Sequence, residues 1–424
     1  MSVRWSALVL GAALGPLIVH AQTSASGILL SDIKTIFGFG DSYSATGYTP
    51  ALGVSNFPGY GNVREIPKSG RWVWLQYLSQ LGTDGDIALY DLAASGAVVN
   101  NSISTPLSLI PAFTDQVDTW INYFEQPMGQ AIVTSQVSWE ANSTLFAVWF
   151  GINDAGSASG SGNSVSPQLS GIFDSYNRSV AQLYAGGARN FLILGVPPME
   201  LAPSVAQAGD PTTSLYGDNA DAVNEALSNF VDTFPTVYPE ARISLFDTQP
   251  FFSTIIASPE TYGFMDSTTD CVAYSLITNQ PDLTLPVCEW PMSQYVWWNS
   301  YHPTWAVHRL LATVISQVLS PPTTTSAAPS GPSTTSGTES VVPSTVIPTT
   351  SLSSEPPASS TSGSTSFSGS GQATGSVAPT QSAGSSPTSG ATRAGGRTDG
   401  VVVALAVGVA LAVGGAGGWA LVAL

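Results

Sequence analysis

A chain of 424 residues with a formal net charge of −17 is repelled by nucleic acid and by anionic membrane surfaces, and charge excludes both as partners. Two cysteines are too few for a disulfide-dense scaffold, and 43% hydrophobic residues leave material for a sizeable core. No CxxC pair with a neighbouring His, P-loop or dinucleotide fingerprint occurs, so neither a metal nor a cofactor is expected.

The chain opens with Arg4, an apolar run over residues 7–19 and the small-residue end Val19-His20-Ala21. This order predicts a secretory signal peptide over residues 1–21, with the mature protein starting near Gln22. Residues 22–319 hold the whole net charge of −17, since the flanking charges cancel. At about 300 residues this stretch is within reach of one domain with one core. Short apolar runs alternate there with helical patterns, which predicts βαβ units on a parallel sheet and a three-layer α/β/α sandwich. Strands are expected at residues 35–39, 87–92, 145–150, 191–194 and 243–246. Spacing of 3.6 residues predicts helices over 169–184 and 220–234. Pro303 suits the first residue of a final helix, with Val307, Leu310, Leu311, Val314 and Val318 on its apolar stripe.

Cys271 and Cys288 follow the signal peptide into an oxidising compartment, so they are expected to pair, worth about 3 kcal/mol through loop closure. Asn100, Asn142 and Asn177 each begin an N-x-S/T sequon for N-glycosylation. From residue 320 to 392 Ser, Thr, Pro, Gly and Ala dominate, with Phe367 the only aromatic residue and Glu339 and Glu355 the only charges. Such a stretch cannot bury enough apolar surface to offset its ordering entropy and reads as a disordered stalk, a target for O-glycosylation. Residues 401–424 are apolar or Gly, and Ser389-Gly390-Ala391 lies upstream, followed by a polar spacer with Arg393, Arg397 and Asp399. Residues 393–424 therefore read as a GPI-attachment signal, with a membrane-spanning helix as the alternative. The expected location is extracellular, at the cell surface.

Three histidines occur, and His20 leaves with the signal peptide. A Ser-His mechanism must therefore use His302 or His308. Ser42 follows the first strand in Phe39-Gly40-Asp41-Ser42, where a strand exit can expose a hydroxyl. Gly, Asp and Ser equally suit an ordinary strand-ending turn. Ala94-Ser95-Gly96-Ala97 follows the second strand, and Gly96 can bring a backbone N–H close to a ligand or simply permit a turn. Gly151-Ile152-Asn153-Asp154 follows the third strand and sets the Asn153 amide at the same sheet edge. Asn299-Ser-Tyr-His302-Pro-Thr stands before the final helix, and His308 lies at the edge of that helix's apolar stripe, a structural position.

These four elements, in this order, resemble the GDSL/SGNH hydrolase superfamily over most of residues 35–318. The resemblance implies a serine esterase with Ser42 as nucleophile and His302 as general base. It implies an oxyanion hole built from the backbone N–H groups of Ser42 and Gly96 and the side-chain amide of Asn153. Asp154 matches the family's GxND block and is given a supporting role. Phe37-Gly-Phe-Gly-Asp-Ser-Tyr43, Ser69-Gly-Arg-Trp72, Trp149-Phe-Gly-Ile-Asn-Asp154 and His302-Pro-Thr304 look like the fungal carbohydrate acetyl-esterase branch, carbohydrate esterase family sixteen. That branch implies acetylated carbohydrates, such as acetylated xylo-oligosaccharides, as substrates. Trp72, Trp74, Trp297, Trp298 and Trp305 are candidates to stack on sugar rings, although core packing accounts for most of them.

The superfamily normally has Asp three residues before the catalytic His, where this chain has Asn299. Asn299 can orient His302 through its carbonyl oxygen, but its NH₂ group can also hold the wrong tautomer. Asp266 and Asp270 are the alternative acids. Three readings follow: an acetyl esterase on carbohydrate, an esterase on lipid or longer acyl esters, and a weakly active surface protein that uses the fold for binding. The presence of both Ser42 and His302 favours the first two.

The tail reading has its own test. Phosphatidylinositol-specific phospholipase C is expected to release the mature protein from membranes, given an inositol without an acyl group. Mass spectrometry should then find a C-terminus between about Ser385 and Gly395; an intact Leu424 overturns the reading.

Overall fold

The computed structural model describes residues 27–52, 68–82, 86–104, 109–124, 137–276 and 284–320, and these residues fall within one compact unit. The residues expected to form a signal peptide (1–21), nearly all of those expected to form a stalk (320–392) and those read as a C-terminal signal (393–424) lie outside the described residues. Five strands, β1 (Thr35–Gly40), β2 (Ala88–Asp91), β3 (Thr144–Trp149), β4 (Asn190–Leu194) and β5 (Arg242–Phe246), pair in parallel in the order β2-β1-β3-β4-β5. Every residue of β1, β3 and β4 is buried, as expected of apolar runs covered by helices on both sheet faces. The register sets Phe37 between Tyr90 and Phe146, and its ring packs on theirs at 5.4 and 5.3 Å.

The flanking helices are α1 (Trp74–Ser79), α2 (Phe113–Tyr123), α3 (Ile152–Gly160), α4 (Leu169–Ala185), α5 (Thr212–Val237), α6 (Thr248–Ala257) and α7 (Trp305–Val318). Helix α1 packs on α7, while α2 packs on α4 and α4 on α5. The expected three-layer α/β/α architecture is the one observed. Helix α5 starts at Thr212, well before the predicted residue 220, and its added turns bury Tyr216 and Asn219.

One expectation is corrected at the last helix. Helix α7 starts at Trp305, not at Pro303. Pro303 is held extended by an antiparallel bridge to Trp297, and the Thr304 N–H donates to the Val296 carbonyl at 2.8 Å. The stripe behaves as read: Val307, Leu311 and Val314 are buried, with Leu310 and Val318 partly so.

The strand order determines where a site can form. The chain leaves β1 for β2 on one side and returns to β3 on the other, so the crevice opens at the carboxyl ends of β1 and β3. Ser42 follows β1, Gly96 follows β2 and Asn153 follows β3. Cys271 and Cys288 form the expected disulfide. Within the loop it closes, the Tyr274 carbonyl accepts from Trp298 Nε1 at 3.0 Å, and this bond anchors the residue before Asn299.

The exit of β1 is braced from α2. Gln116, 1% exposed, accepts the Gly40 N–H at 3.0 Å and donates to the Gly40 carbonyl at 2.8 Å. Gln116→Ala leaves the Gly40 N–H without its partner in the interior and should cost about 2–3 kcal/mol, read as a lower melting temperature. A wild-type melt would remove Gln116 from this role.

Candidate active site

Asp41 builds the turn that presents Ser42. Its Oδ1 accepts the Tyr43 N–H at 2.9 Å, and its carbonyl accepts the N–H groups of Ser44 and Ala45 at 3.0 and 2.8 Å. One turn thus starts directly at the strand end. Burial, opposed by the Tyr43 N–H and reinforced by the charge of Asp154, pushes the Asp41 carboxyl up to about 7.

His302 Nε2 lies 2.9 Å from Ser42 Oγ, and its Nδ1 lies 2.9 Å from Asn299 Oδ1. The same oxygen accepts the backbone N–H groups of Tyr301 and His302 at 3.0 and 2.8 Å. Two backbone donors can face only an oxygen, so they settle which end of the Asn299 amide points inward. With an oxygen there, Nδ1 must carry the ring proton, and Nε2 keeps its lone pair toward the serine hydroxyl. The wrong-tautomer arrangement is therefore excluded by the local backbone. Burial and the nearby charge of Lys68 push the His302 imidazole down to about 3, so it is neutral at neutral pH. Neither alternative acid takes this place. Asp266 Oδ1 caps its own turn, accepting the N–H groups of Thr268 and Thr269 at 2.9 and 2.8 Å, and Nδ1 is already occupied where Asp270 would need to reach.

Gly96 has φ +82°, in a turn closed by the Ala97 N–H on the Ala94 carbonyl at 3.1 Å. Only glycine adopts this conformation without strain. The backbone N–H groups of Ser42 and Gly96 have no acceptor among the described residues. Asn153 donates one amide hydrogen to the Ala97 carbonyl at 2.9 Å, leaving the other for the pocket it lines with Ser42 and His302. Gly151, at φ +117°, caps α3; a Cβ there would meet Val223 Cγ1 at 2.8 Å. Asp154 accepts the Val99 N–H at 3.2 Å and the Ser104 hydroxyl, which ties down the chain just beyond Gly96. Burial pushes its carboxyl up to about 6.

Several contributors carry no motif. The ring of Tyr43 packs 5.6 Å from that of His302, and its hydroxyl donates to the Tyr301 carbonyl at 2.5 Å. Ser204 Oγ donates to the Tyr301 hydroxyl at 2.8 Å. An aromatic residue after Gly-Asp-Ser was the only signal for Tyr43; pairings across this much sequence leave none. His308 is buried against the edge of Tyr43, 6.2 Å between ring centres, and makes no contact with Ser42. Among the tryptophans, Trp74, Trp297, Trp298 and Trp305 are buried and Trp72 is partly so, which agrees with core packing. The Asn142 and Asn177 side chains are exposed, with Thr144 and Ser179 of their sequons buried, whereas Asn100 donates its amide to Ser175 Oγ at 3.0 Å.

Two outcomes follow for Asn299. An Asp there keeps all three hydrogen bonds and adds a negative charge, so Asn299→Asp should retain or raise kcat/KM on an acetyl ester. The same charge favours the imidazolium and raises the His302 pKa, so the acid limb of the pH profile should move to higher pH. In the wild type that limb should lie well below the ordinary imidazole value of 6.5. Asn299→Ala strands three donors and should cost about 10²-fold through misplacement of the ring, less than His302→Ala. A folded but inactive Asn299→Asp would overturn this account.

The sequence matches the family GDSL-like Lipase/Acylhydrolase over residues 36–315. An acetylesterase from Thermothelomyces thermophilus is 29% identical over 318 residues, covering 72% of this chain and 95% of its own. The thermolabile hemolysin of Vibrio parahaemolyticus is 23% identical over 298 residues, covering 66% of this chain and 62% of its own. Among solved structures, the acetylxylan esterase Axe2 from Geobacillus stearothermophilus is similar at 12% identity and a TM-score of 0.33, covering 68% of this chain and 94% of that one. With a match that spans every element of the pocket, the chain belongs to the GDSL-like Lipase/Acylhydrolase family and is a carboxylic ester hydrolase.

Proposed function

We propose that this enzyme hydrolyses acetyl esters of carbohydrates, such as acetylated xylo-oligosaccharides, with Ser42 as nucleophile and His302 as base. The observation that carries the reading is the 2.9 Å contact between His302 Nε2 and Ser42 Oγ at the switch point of the sheet. The 29% identical acetylesterase, matched over nearly its whole length, supports acetyl as the acyl group.

Ser42 Oγ attacks the ester carbonyl carbon as its proton passes to His302 Nε2. Negative charge gathers on the carbonyl oxygen, and the N–H groups of Ser42 and Gly96 and the Asn153 amide donate to it. Loss of one such donor costs about 10²–10³ in turnover. The C–O bond then breaks, the leaving sugar oxygen takes the proton from Nε2, and an acetyl-serine remains. Water, deprotonated by the same Nε2, attacks that ester and releases acetate, returning the proton to Ser42. Asn299 accepts the Nδ1–H throughout and keeps the ring aligned. We further propose secretion and GPI anchoring at the cell surface, supported by the composition of residues 1–21 and 393–424.

Ser42→Ala and His302→Ala should each lower kcat/KM by about 10⁴-fold or more while leaving the circular-dichroism spectrum unchanged, and a serine-directed phosphonate should label Ser42. The purified protein should release acetate from acetylated xylo-oligosaccharides and turn over p-nitrophenyl acetate far better than the octanoate. Labelling at another serine overturns the site assignment, and a preference for octanoate moves the reading to lipid esters.

A further inference from the structure

The pocket beside Ser42 has an apolar wall supplied by the segment that follows β4. Met199, Ala202 and Val205 line it, 6%, 5% and 3% exposed, with Trp297 and Tyr216 on neighbouring sides. The wall is held at both ends. Where it leaves the sheet, Asn224 on α5 accepts the Val196 N–H at 2.7 Å and donates to the Val196 carbonyl at 2.9 Å. Pro197 and Pro198 follow, with their φ angles locked by the ring. At the far end, the Ser204 N–H donates to the Ser300 carbonyl at 3.1 Å and its hydroxyl to the Tyr301 hydroxyl at 2.8 Å. Ser300 and Tyr301 precede His302, so the wall is tied to the loop that carries the base.

The room beside Ser42 is about 30 Å³. That is small beside the several hundred Å³ of pockets that hold drug-sized ligands, and it suits the methyl of an acetyl group better than an extended acyl chain. Beyond Ser42, Asn153 and His302, the lining side chains with polar atoms are Tyr43, Tyr216, Trp297 and Tyr301. The Tyr43 hydroxyl and the Trp297 indole already donate to the Tyr301 and Ser267 carbonyls, which leaves few partners for the hydroxyls of a sugar ring. The pocket therefore suits the acyl side of the ester and not the alcohol side.

We propose that residues 197–205 form an acyl subsite that admits acetyl and rejects longer chains, and that the Ser204–Tyr301 hydrogen bond keeps it shut. The proposal rests on the acetyl-ester reading above and names the residues that enforce it. Met199 and Val205 set the depth; Ser204 is a positioning residue that acts through the wall. One methylene too many in a closed apolar pocket is worth 10-fold to 200-fold in discrimination.

The test is the ratio of kcat/KM for p-nitrophenyl butyrate to that for the acetate, measured on the full chain. Met199→Ala and Val205→Ala should each raise this ratio by about 10-fold or more. Ala202→Val narrows the same space and should lower it. Ser204→Ala should raise the ratio by loosening the wall, and Ser204→Thr, which keeps a hydroxyl, should restore it. Melting curves for each variant identify any that fails to fold, and Met199 and Val205 provide independent readings. If the wild type favours acetate but neither enlarging variant moves the ratio, the subsite is overturned and the acetyl reading survives. If the wild type favours butyrate, the acetyl reading falls as well. A shift with Met199→Ala but none with Ser204→Ala overturns the latch alone.

Discussion

The side-chain oxygen of Asn299 accepts three hydrogens, two from the backbone of its own loop and one from His302 Nδ1. Everything chemical in the site depends on that arrangement. The backbone donors hold the amide oxygen inward, the oxygen selects the tautomer, and the tautomer leaves the Nε2 lone pair facing the Ser42 hydroxyl. A neutral residue thereby performs the orienting part of the task an aspartate performs elsewhere. It does not supply the charge. In the reaction proposed above, the imidazolium formed during acylation finds its counter-charge in the oxyanion itself, so the donors around that oxygen matter more than in a site with a carboxylate.

Placing those donors is the work of the sheet. Parallel strands in the order β2-β1-β3 deliver three turns to one edge, and buried carboxylates anchor the chain after β1 and after β2. Asp41 organises the turn after β1, and Asp154 restrains the chain beyond the turn after β2. Asp91, at the end of β2, accepts the N–H groups of Thr46 and Ala93 at 2.9 and 3.1 Å and so ties the chain beyond Ser42 to the neighbouring strand. Burial raises all three carboxyls toward neutrality, to between about 6 and 7. Their role is as hydrogen-bond acceptors for backbone, which accounts for their being far from solvent.

The parallel sheet and the pairing of Ser42 with His302 were legible in the sequence for definite reasons. Apolar runs buried on both faces announce strands β1, β3 and β4. Only His302 and His308 fall within residues 22–319, so the search for a base is short. Side chains acting across large sequence distances left no such trace. Gln116 braces Gly40 from 76 residues away, and Tyr43 reaches Tyr301 over 258. No local pattern requires either pairing. Pro303 misled for a related reason: its ring suits a helix start, but the bridge to Trp297 keeps it extended. Asn299 invited doubt about its tautomer, and the answer lay in two backbone N–H vectors that exist only in the folded loop.

The disulfide also bears on how the molecule opens. Trp298 hangs from the Tyr274 carbonyl inside the loop closed by Cys271 and Cys288, and Asn299 is the next residue. Local unfolding releases contiguous segments while the rest of a domain stays intact. A covalent clasp around Tyr274 limits how far that segment can drift when its hydrogen bonds break, and with it the loop bearing the base. Reduction removes the clasp, and openings of that segment can then carry the His302 loop further from Ser42. The state of this disulfide thus bears on how firmly the loop of His302 is held, without altering a single residue that lines the pocket.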